Sequence, residues 1–202
     1  MPTPEKGERW GILGGAFDPV HNGHITLARD IYKRKHLDGV LLVPAYRHPF
    51  KQEQAVASYE DRAAMLKLAA SEHNFLVVDE IEKELELSGL TLDTVRAVKS
   101  RYPQTEFFFL VGADNIDQVS KWHQPEKILA EIKVIAGTRP TFSPKEICDT
   151  IAERIEYIET SPVDVSSSEI RDLLRSGEDL ERLAAMVDRE VSEYILSRRL
   201  YQ

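Results

Sequence analysis

The chain has 202 residues, with 42% hydrophobic and 30% charged residues, enough for a sizeable buried core in one soluble domain. A formal net charge of -8 excludes the broad Lys/Arg footprint on which DNA or RNA binding rests, so any phosphate must be handled locally. Cys148 is the single cysteine, which excludes an internal disulfide and a cysteine-based metal cluster.

No apolar run approaches the ~20 residues of a membrane span. The opening MPTPEKGERW has no secretion-signal core, so a cytoplasmic location is expected, with neither nucleic acid nor membrane as partner. No pattern fixes the oligomeric state, and a homo-oligomer stays open.

In chain order, WGILG (10–14) reads as a first buried strand. It runs into GGAFDPVHNGH (14–24), after which Ile25, Leu27, Ala28 and Ile31 recur at helical spacing. GVLLVP (39–44) is a second strand, Ala63, Leu66, Leu68 and Ala69 mark a helix, and FLVVD (75–79) is a third strand. The acidic run DEIEKELE (79–86) reads as a solvated face or loop. A helix with Thr94, Val95 and Val98 then precedes strands EFFFLVG (106–112), IKVIAG (132–137) and IEYIET (155–160). Beyond about residue 161 the pattern is purely helical, suggesting a small C-terminal helical cap. Continuous apolar strands alternating with helices predict a doubly wound, Rossmann-like α/β fold, a parallel sheet with helices on both faces.

Such sheets bind ligands beyond the C-terminal ends of their strands, near the point where strand order reverses. GGAFDPVHNGH falls there. Gly14 and Gly15 suit a sharp turn or a close approach to a ligand, Asp18-Pro19 is a turn dipeptide, and Asn22 is a plausible helix cap. His24 would face the helix N-terminus, where the dipole disfavours an imidazolium and invites an anion. A bare turn is the plainer reading, and metal ligation by His21 and His24 would need a further ligand that no spacing identifies. Neither a P-loop nor a G-x-G-x-x-G fingerprint is present.

VSSSEIR (165–171) reads as a capping box, Ser166 with Glu169, opening a helix that ends at Gly177. Arg171 near the first turn conflicts with the helix dipole, so its removal is expected to leave that helix slightly more stable. An anion held by the serines, the helix amides and Arg171 would resolve the conflict.

His21-Asn22-Gly23-His24 resembles the H-x-G-H signature of the nucleotidyltransferase superfamily. The longer stretch resembles the G-G-T-F-D-P-[IV]-H-x-G-H of bacterial nicotinate mononucleotide adenylyltransferases, departing at Ala16, where that family carries a hydroxyl. VSSSEIR is similar to its I-S-S-T-x-I-R motif, with Ser168 in the threonine position, and VSEYILSRRLY (191–201) resembles its C-terminus. The resemblance implies one nucleotidyltransferase domain over 1–202, with an α/β core to about 160 and a helical part over 161–202.

It also implies an ATP site at Gly14, Gly15, Ala16, Phe17, His21, His24, Gly112, Asp114, Ser166, Ser167, Ser168 and Arg171, with His21, His24 and Arg171 catalytic. RHPFKQ (47–52) resembles the family's P-H-K segment and offers Lys51 to the mononucleotide phosphate, with Arg139 of AGTRP a weaker candidate. LVGADNIDQVSKWH (110–123) resembles the nicotinate branch: Asp114 for a ribose hydroxyl, Trp122 to stack on the pyridinium ring. Backbone near Thr91 and His123 would meet the pyridine carboxylate, and Ala16 and Phe17 complete the implied nicotinate mononucleotide site. The T-x-x-T of TLDTV matches the family, but Leu90 and Gly89 replace a tyrosine and a serine. Each residue also has a plain structural reading: Lys51 and Arg139 as surface cations, Asp114 as a helix cap, Trp122 as core.

The implied reaction is adenylyl transfer from ATP, with Mg²⁺, to nicotinate mononucleotide, giving deamido-NAD and pyrophosphate in NAD biosynthesis. The alternatives are nicotinamide mononucleotide or phosphopantetheine as acceptor, and a non-catalytic nucleotide sensor on the same fold. The metal is expected to arrive with ATP rather than on protein ligands.

Overall fold

The computed structural model describes residues 3–47, 56–138, 149–177 and 180–202, without the side chains of Ala113, Asp114 and Leu180. Lys51, Arg139 and Cys148 lie outside the described residues. In chain order the elements are β1 (Arg9–Gly15), α1 (Asn22–Lys35), β2 (Gly39–Pro44), α2 (Tyr59–Ser71), β3 (Leu76–Val78), α3 (Ile81–Glu84) and α4 (Thr91–Arg101). There follow β4 (Glu106–Gly112), α5 (Ala113–Ile116), a 3₁₀ turn (Val119–Lys121), α6 (Pro125–Glu131), β5 (Lys133–Thr138), α7 (Asp149–Ala152) and β6 (Ile155–Glu159). The chain closes with α8 (Ser167–Ser176), α9 (Leu180–Met186) and α10 (Arg189–Arg198).

The six strands form one sheet in the order β3-β2-β1-β4-β5-β6, every neighbouring pair parallel. All six predicted strands are present in this doubly wound order, and its reversal point falls between β1 and β4. The strands read as unbroken apolar runs because both faces are covered. Leu13, Val40, Leu42, Phe108, Leu110 and Ile135 face one core with Ala28, Ile31, Met65 and Leu66. Ile12, Leu41, Val43, Phe107, Phe109 and Val134 face the other with Val95, Val98 and Ile128.

The C-terminal helices are built into the first core rather than set over it. Ile170, Leu173, Leu183, Val191 and Ile195 belong to the same buried cluster as Ala28 and Met65. Tyr194 of α10 donates its hydroxyl to Asp61 of α2 at 2.9 Å.

The acidic run differs from its reading as a solvated face. Asp79 and Glu82 are 6% and 5% exposed. Asp79 accepts from Arg101 (2.7 Å), Tyr102 (3.1 Å) and the Ile81 N–H (3.0 Å). Glu82 accepts from the Tyr46 N–H at 2.9 Å and from the Thr94 hydroxyl. Burial pushes both carboxyls above their ordinary values, opposed by Arg101 at Asp79 and by the Thr94 hydroxyl at Glu82.

Candidate active site

Gly14 and Gly15 stay in β1, in register with Val43 and Pro44 of β2, so the turn expected of them lies further on. It is made by Phe17, at φ 51, and by a cis Asp18-Pro19 peptide. Phe17 is 1% exposed, and its ring meets His24 edge-on at 5.0 Å. Ala16 gives its carbonyl to the buried Arg62 at 2.6 Å, and the same guanidinium holds the Ala45 carbonyl at 2.9 Å, tying the ends of β1 and β2 together.

His21, not Asn22, caps α1. Its Nδ1 accepts from the Gly23 N–H at 3.2 Å, while its own N–H donates to His24 Nδ1 at 3.3 Å. The two histidines thus form a reciprocal cap in the manner of a capping box. A Cβ on Gly23 would lie 2.9 Å from His21 Nδ1, so the glycine of H-N-G-H leaves room for the capping ring. Asn22 instead reaches the Ala185 carbonyl of α9 at 3.0 Å.

With each Nδ1 used as an acceptor, the neutral rings carry their proton on Nε2. Burial lowers the His21 pKa from 6.5 to about 4. Burial, and then the neighbouring His21, holds His24 well below the ordinary histidine value. The rings lie 3.8 Å apart and are neutral at pH 7, which removes the expected conflict with the dipole of α1.

Because the unfolded chain takes up protons that folded His21 refuses, stability is fully present above pH 6.5 and lost as the pH falls toward about 4. The loss amounts to about 3 kcal/mol at most for His21. Asn at position 21 would cap without titrating. The unfolding free energy of His21→Asn, measured from pH 8 to pH 4, is expected to fall less steeply than that of the wild type; parallel curves would contradict the buried neutral pair.

Each serine of VSSSEIR has a partner within the protein. Ser166 caps α8 through the Glu169 N–H at 3.1 Å. The other half of the expected capping box is replaced by an ion pair of Glu169 with Arg182. Ser167 donates to the Pro19 carbonyl at 2.9 Å, and Ser168 accepts from Arg171 at 3.0 Å. Arg171 also donates to the Asp18 carbonyl at 2.7 Å.

That bond reverses the expected effect of removing Arg171. Any relief of the dipole is outweighed by an abandoned carbonyl in the buried Asp18 loop, and Arg171→Ala is expected to destabilise the fold by about 1–3 kcal/mol. Chemical denaturation measures it, and a stability equal to or above that of the wild type would restore the dipole argument.

α1 and α8 start side by side. The Val165 carbonyl lies 3.6 Å from where a Gly23 Cβ would stand. Between them opens a cleft of about 250 Å³ lined by His21, Gly23, His24, Ser166 and Ser167 at one end. The other end is formed by Leu27, Gly112, Asn115, Gly137, Thr160 and Ser161. The Gly23 amide is taken by His21 and the Glu169 amide by Ser166, which leaves the Asn22, Ser167 and Ser168 amides as the helix-start donors suited to phosphate. Gly112 and Gly137 are register partners at the ends of β4 and β5. A Cβ on Gly137 would overlap Leu27 at 2.2 Å, whereas one on Gly112 would only touch it at 3.6 Å, so Gly137 is the glycine that makes room for the Leu27 side chain in the cleft.

Of the predicted site residues, the structure brings His21, His24, Gly112, Ser166 and Ser167 to this cleft. Gly14, Gly15, Ala16, Phe17, Ser168 and Arg171 do not line it. Thr91, Trp122 and His123 do not line it either. Thr91 starts α4, whose N-terminus has no side-chain cap. Trp122 is half-buried against the second core, edge-on to Phe109 at 5.5 Å, and His123 is exposed. Asp114 follows Gly112 in α5. Leu27, Asn115, Thr160 and Ser161 were not singled out from sequence. The signal for Leu27 was the pair of glycines closing two adjacent strands, and that for Arg62 was an arginine on the apolar face of α2.

Residues 12–173 match the cytidylyltransferase-like family. A probable nicotinate-nucleotide adenylyltransferase of Bacillus licheniformis is 33% identical over 95% of this chain and 97% of its own. One from Rubrobacter xylanophilus is 34% identical over 96% of this chain and 92% of its own. The chain belongs to the nicotinate-nucleotide adenylyltransferase family. Among solved structures, Plasmodium falciparum nicotinic acid mononucleotide adenylyltransferase complexed with NaAD superposes with a TM-score of 0.79 at 21% identity, covering 96% of this chain and 97% of that one. That likeness places the family's fold on this chain. The expectation of a nucleotidyltransferase made from H-N-G-H and VSSSEIR therefore holds at the level of the family.

Proposed function

We infer that this chain transfers the adenylyl group of ATP to nicotinate mononucleotide, forming deamido-NAD and releasing pyrophosphate. The carrying observation is that two helix N-termini and two neutral histidines meet at one cleft at the strand ends, in a chain of this family. An oxygen of the acceptor's phosphate attacks the α-phosphorus of ATP. The bond from that phosphorus to the oxygen bridging the β-phosphate breaks, and its electron pair leaves with pyrophosphate.

The nucleophile is already ionised, so catalysis consists of alignment and stabilisation of phosphoryl charge. The Nε2–H groups of His21 and His24 donate to phosphate oxygens, joined by the Asn22 amide at the start of α1 and by those of Ser167 and Ser168. Arg171 fixes the loop through Asp18 and places a positive charge near the departing pyrophosphate. Magnesium comes as MgATP and offsets triphosphate charge. Among the described residues no group of three or more His, Cys, Asp or Glu side chains could hold an ion of its own.

On the acceptor side, the uncapped N-terminus of α4 at Thr91 suits the pyridine carboxylate. Trp122 and His123 are assigned to the same ring, Asp114 to a ribose hydroxyl, and Lys51 and Arg139 to the mononucleotide phosphate. A cytoplasmic location belongs to the same proposal; no helix of the described residues is long and apolar enough to cross a membrane.

The test is pyrophosphate release from ATP and Mg²⁺ with nicotinate mononucleotide, nicotinamide mononucleotide or phosphopantetheine offered in turn. Turnover with the first is expected to exceed both others. ATP binding without turnover on any acceptor would leave a nucleotide sensor.

A further inference from the structure

Asp18 gathers partners from segments far apart in the chain. Its carboxylate accepts from the Val56 N–H at 2.8 Å, the Ala57 N–H at 3.2 Å and the Tyr201 hydroxyl at 2.8 Å. Its carbonyl accepts from Arg171 at 2.7 Å. Asp18 and Tyr201 are 5% and 6% exposed. Tyr201 is the next-to-last residue of the chain. It is delivered inward by left-handed backbone at Arg199 (φ 53) and at Tyr201 itself (φ 69).

The helix before it is moored, since Tyr194 and Arg198 of α10 both donate to Asp61 Oδ1, at 2.9 and 3.2 Å. The loop from Ala16 to Val20 has no ladder of its own. Its carbonyls go to Arg62, Arg171 and Ser167, and its carboxylate anchor is Asp18. Such a loop takes its geometry from outside partners, and it ends at His21, the cap of α1.

We propose that Tyr201 is a positioning residue: its bond to Asp18 makes the C-terminus part of what holds His21 and His24 at the cleft. Adenylyl transfer would then depend on a hydroxyl that touches no substrate. Burial, together with the Asp18 carboxylate, pushes the phenol of Tyr201 above its ordinary range, so it stays a donor throughout the working pH range. The inference rests on reading the histidine pair as the phosphate donors.

Tyr201→Phe keeps the buried ring and deletes the hydroxyl, while Asp18→Asn keeps the shape and weakens the acceptor. Measured well below the unfolding midpoint, Tyr201→Phe is expected to lower kcat by about 10- to 100-fold, with KM values moving about threefold or less, as for misaligned catalytic groups. If the two side chains act as one unit, the double variant falls no more than about threefold below the worse single variant. A kcat for Tyr201→Phe within about twofold of wild type, or effects that multiply in the double variant, would overturn the proposal.

Backbone hydrogen exchange over residues 17–25 gives a reading independent of turnover. It should speed up about tenfold or more in Tyr201→Phe while the amides of α4 keep their rates. Unchanged exchange in that loop would also overturn the proposal. A wild type inactive on nicotinate mononucleotide would reject the proposed function, and the exchange measurement would still decide the positioning.

Discussion

Replacing His24 with alanine is expected to lower turnover by ~10²–10⁴, the scale of a lost transition-state donor, while the fold persists. His24 Nδ1 is occupied by the His21 N–H, so the lost group is the Nε2–H at the cleft. The ring also contributes half of the reciprocal cap on α1, so a stability loss of about 0.5–2 kcal/mol should accompany the substitution. Thermal unfolding separates the two effects: a folded variant with near-full turnover would remove His24 from the mechanism.

The second large effect concerns the acceptor. Specificity should favour nicotinate over nicotinamide mononucleotide by at least ~10²-fold in kcat/KM, because a carboxamide turns an NH₂ toward amide donors that a carboxylate would accept from. The proposed donors are the first amides of α4, where Leu90 at the cap position makes no side-chain bond. Gly89 just before it has φ 80, a conformation that favours glycine. Leu90 removes an aromatic wall but no backbone donor. Leu90→Tyr should therefore tighten both acceptors more than it changes their ratio. Equal use of both acceptors by the wild type would sink the nicotinate assignment, and a ratio that climbs steeply in the variant would move the discrimination to the aromatic wall.

The sheet was legible because burial on both faces leaves each strand as an unbroken apolar run, and EFFFLVG or GVLLVP can be little else. The location of the phosphate end was legible from H-N-G-H and VSSSEIR, but the division of labour within them was not. A histidine cap falls outside the Ser, Thr, Asp and Asn pattern by which helix starts are recognised, so Asn22 drew the assignment that His21 holds. The three serines looked surplus to one cap, yet Ser167 serves Pro19, which only the fold brings near, and Ser168 serves Arg171 one turn on in the same helix. Asp79 and Glu82 were read as part of a charged run because their partners, Arg101 and Thr94, lie in another helix. Asp18 read as a turn residue, since its hydroxyl partner Tyr201 sits at the far end of the chain.

The central claim, chemistry at the α-phosphorus in the cleft between α1 and α8, is tested most directly by following label from ATP. With nicotinate mononucleotide and Mg²⁺, α-³²P-labelled ATP should pass its label to the dinucleotide, and γ-³²P-labelled ATP should pass its label to pyrophosphate. Transfer of the γ-label to the acceptor, or loss of the α-label as free AMP with no dinucleotide formed, would contradict it.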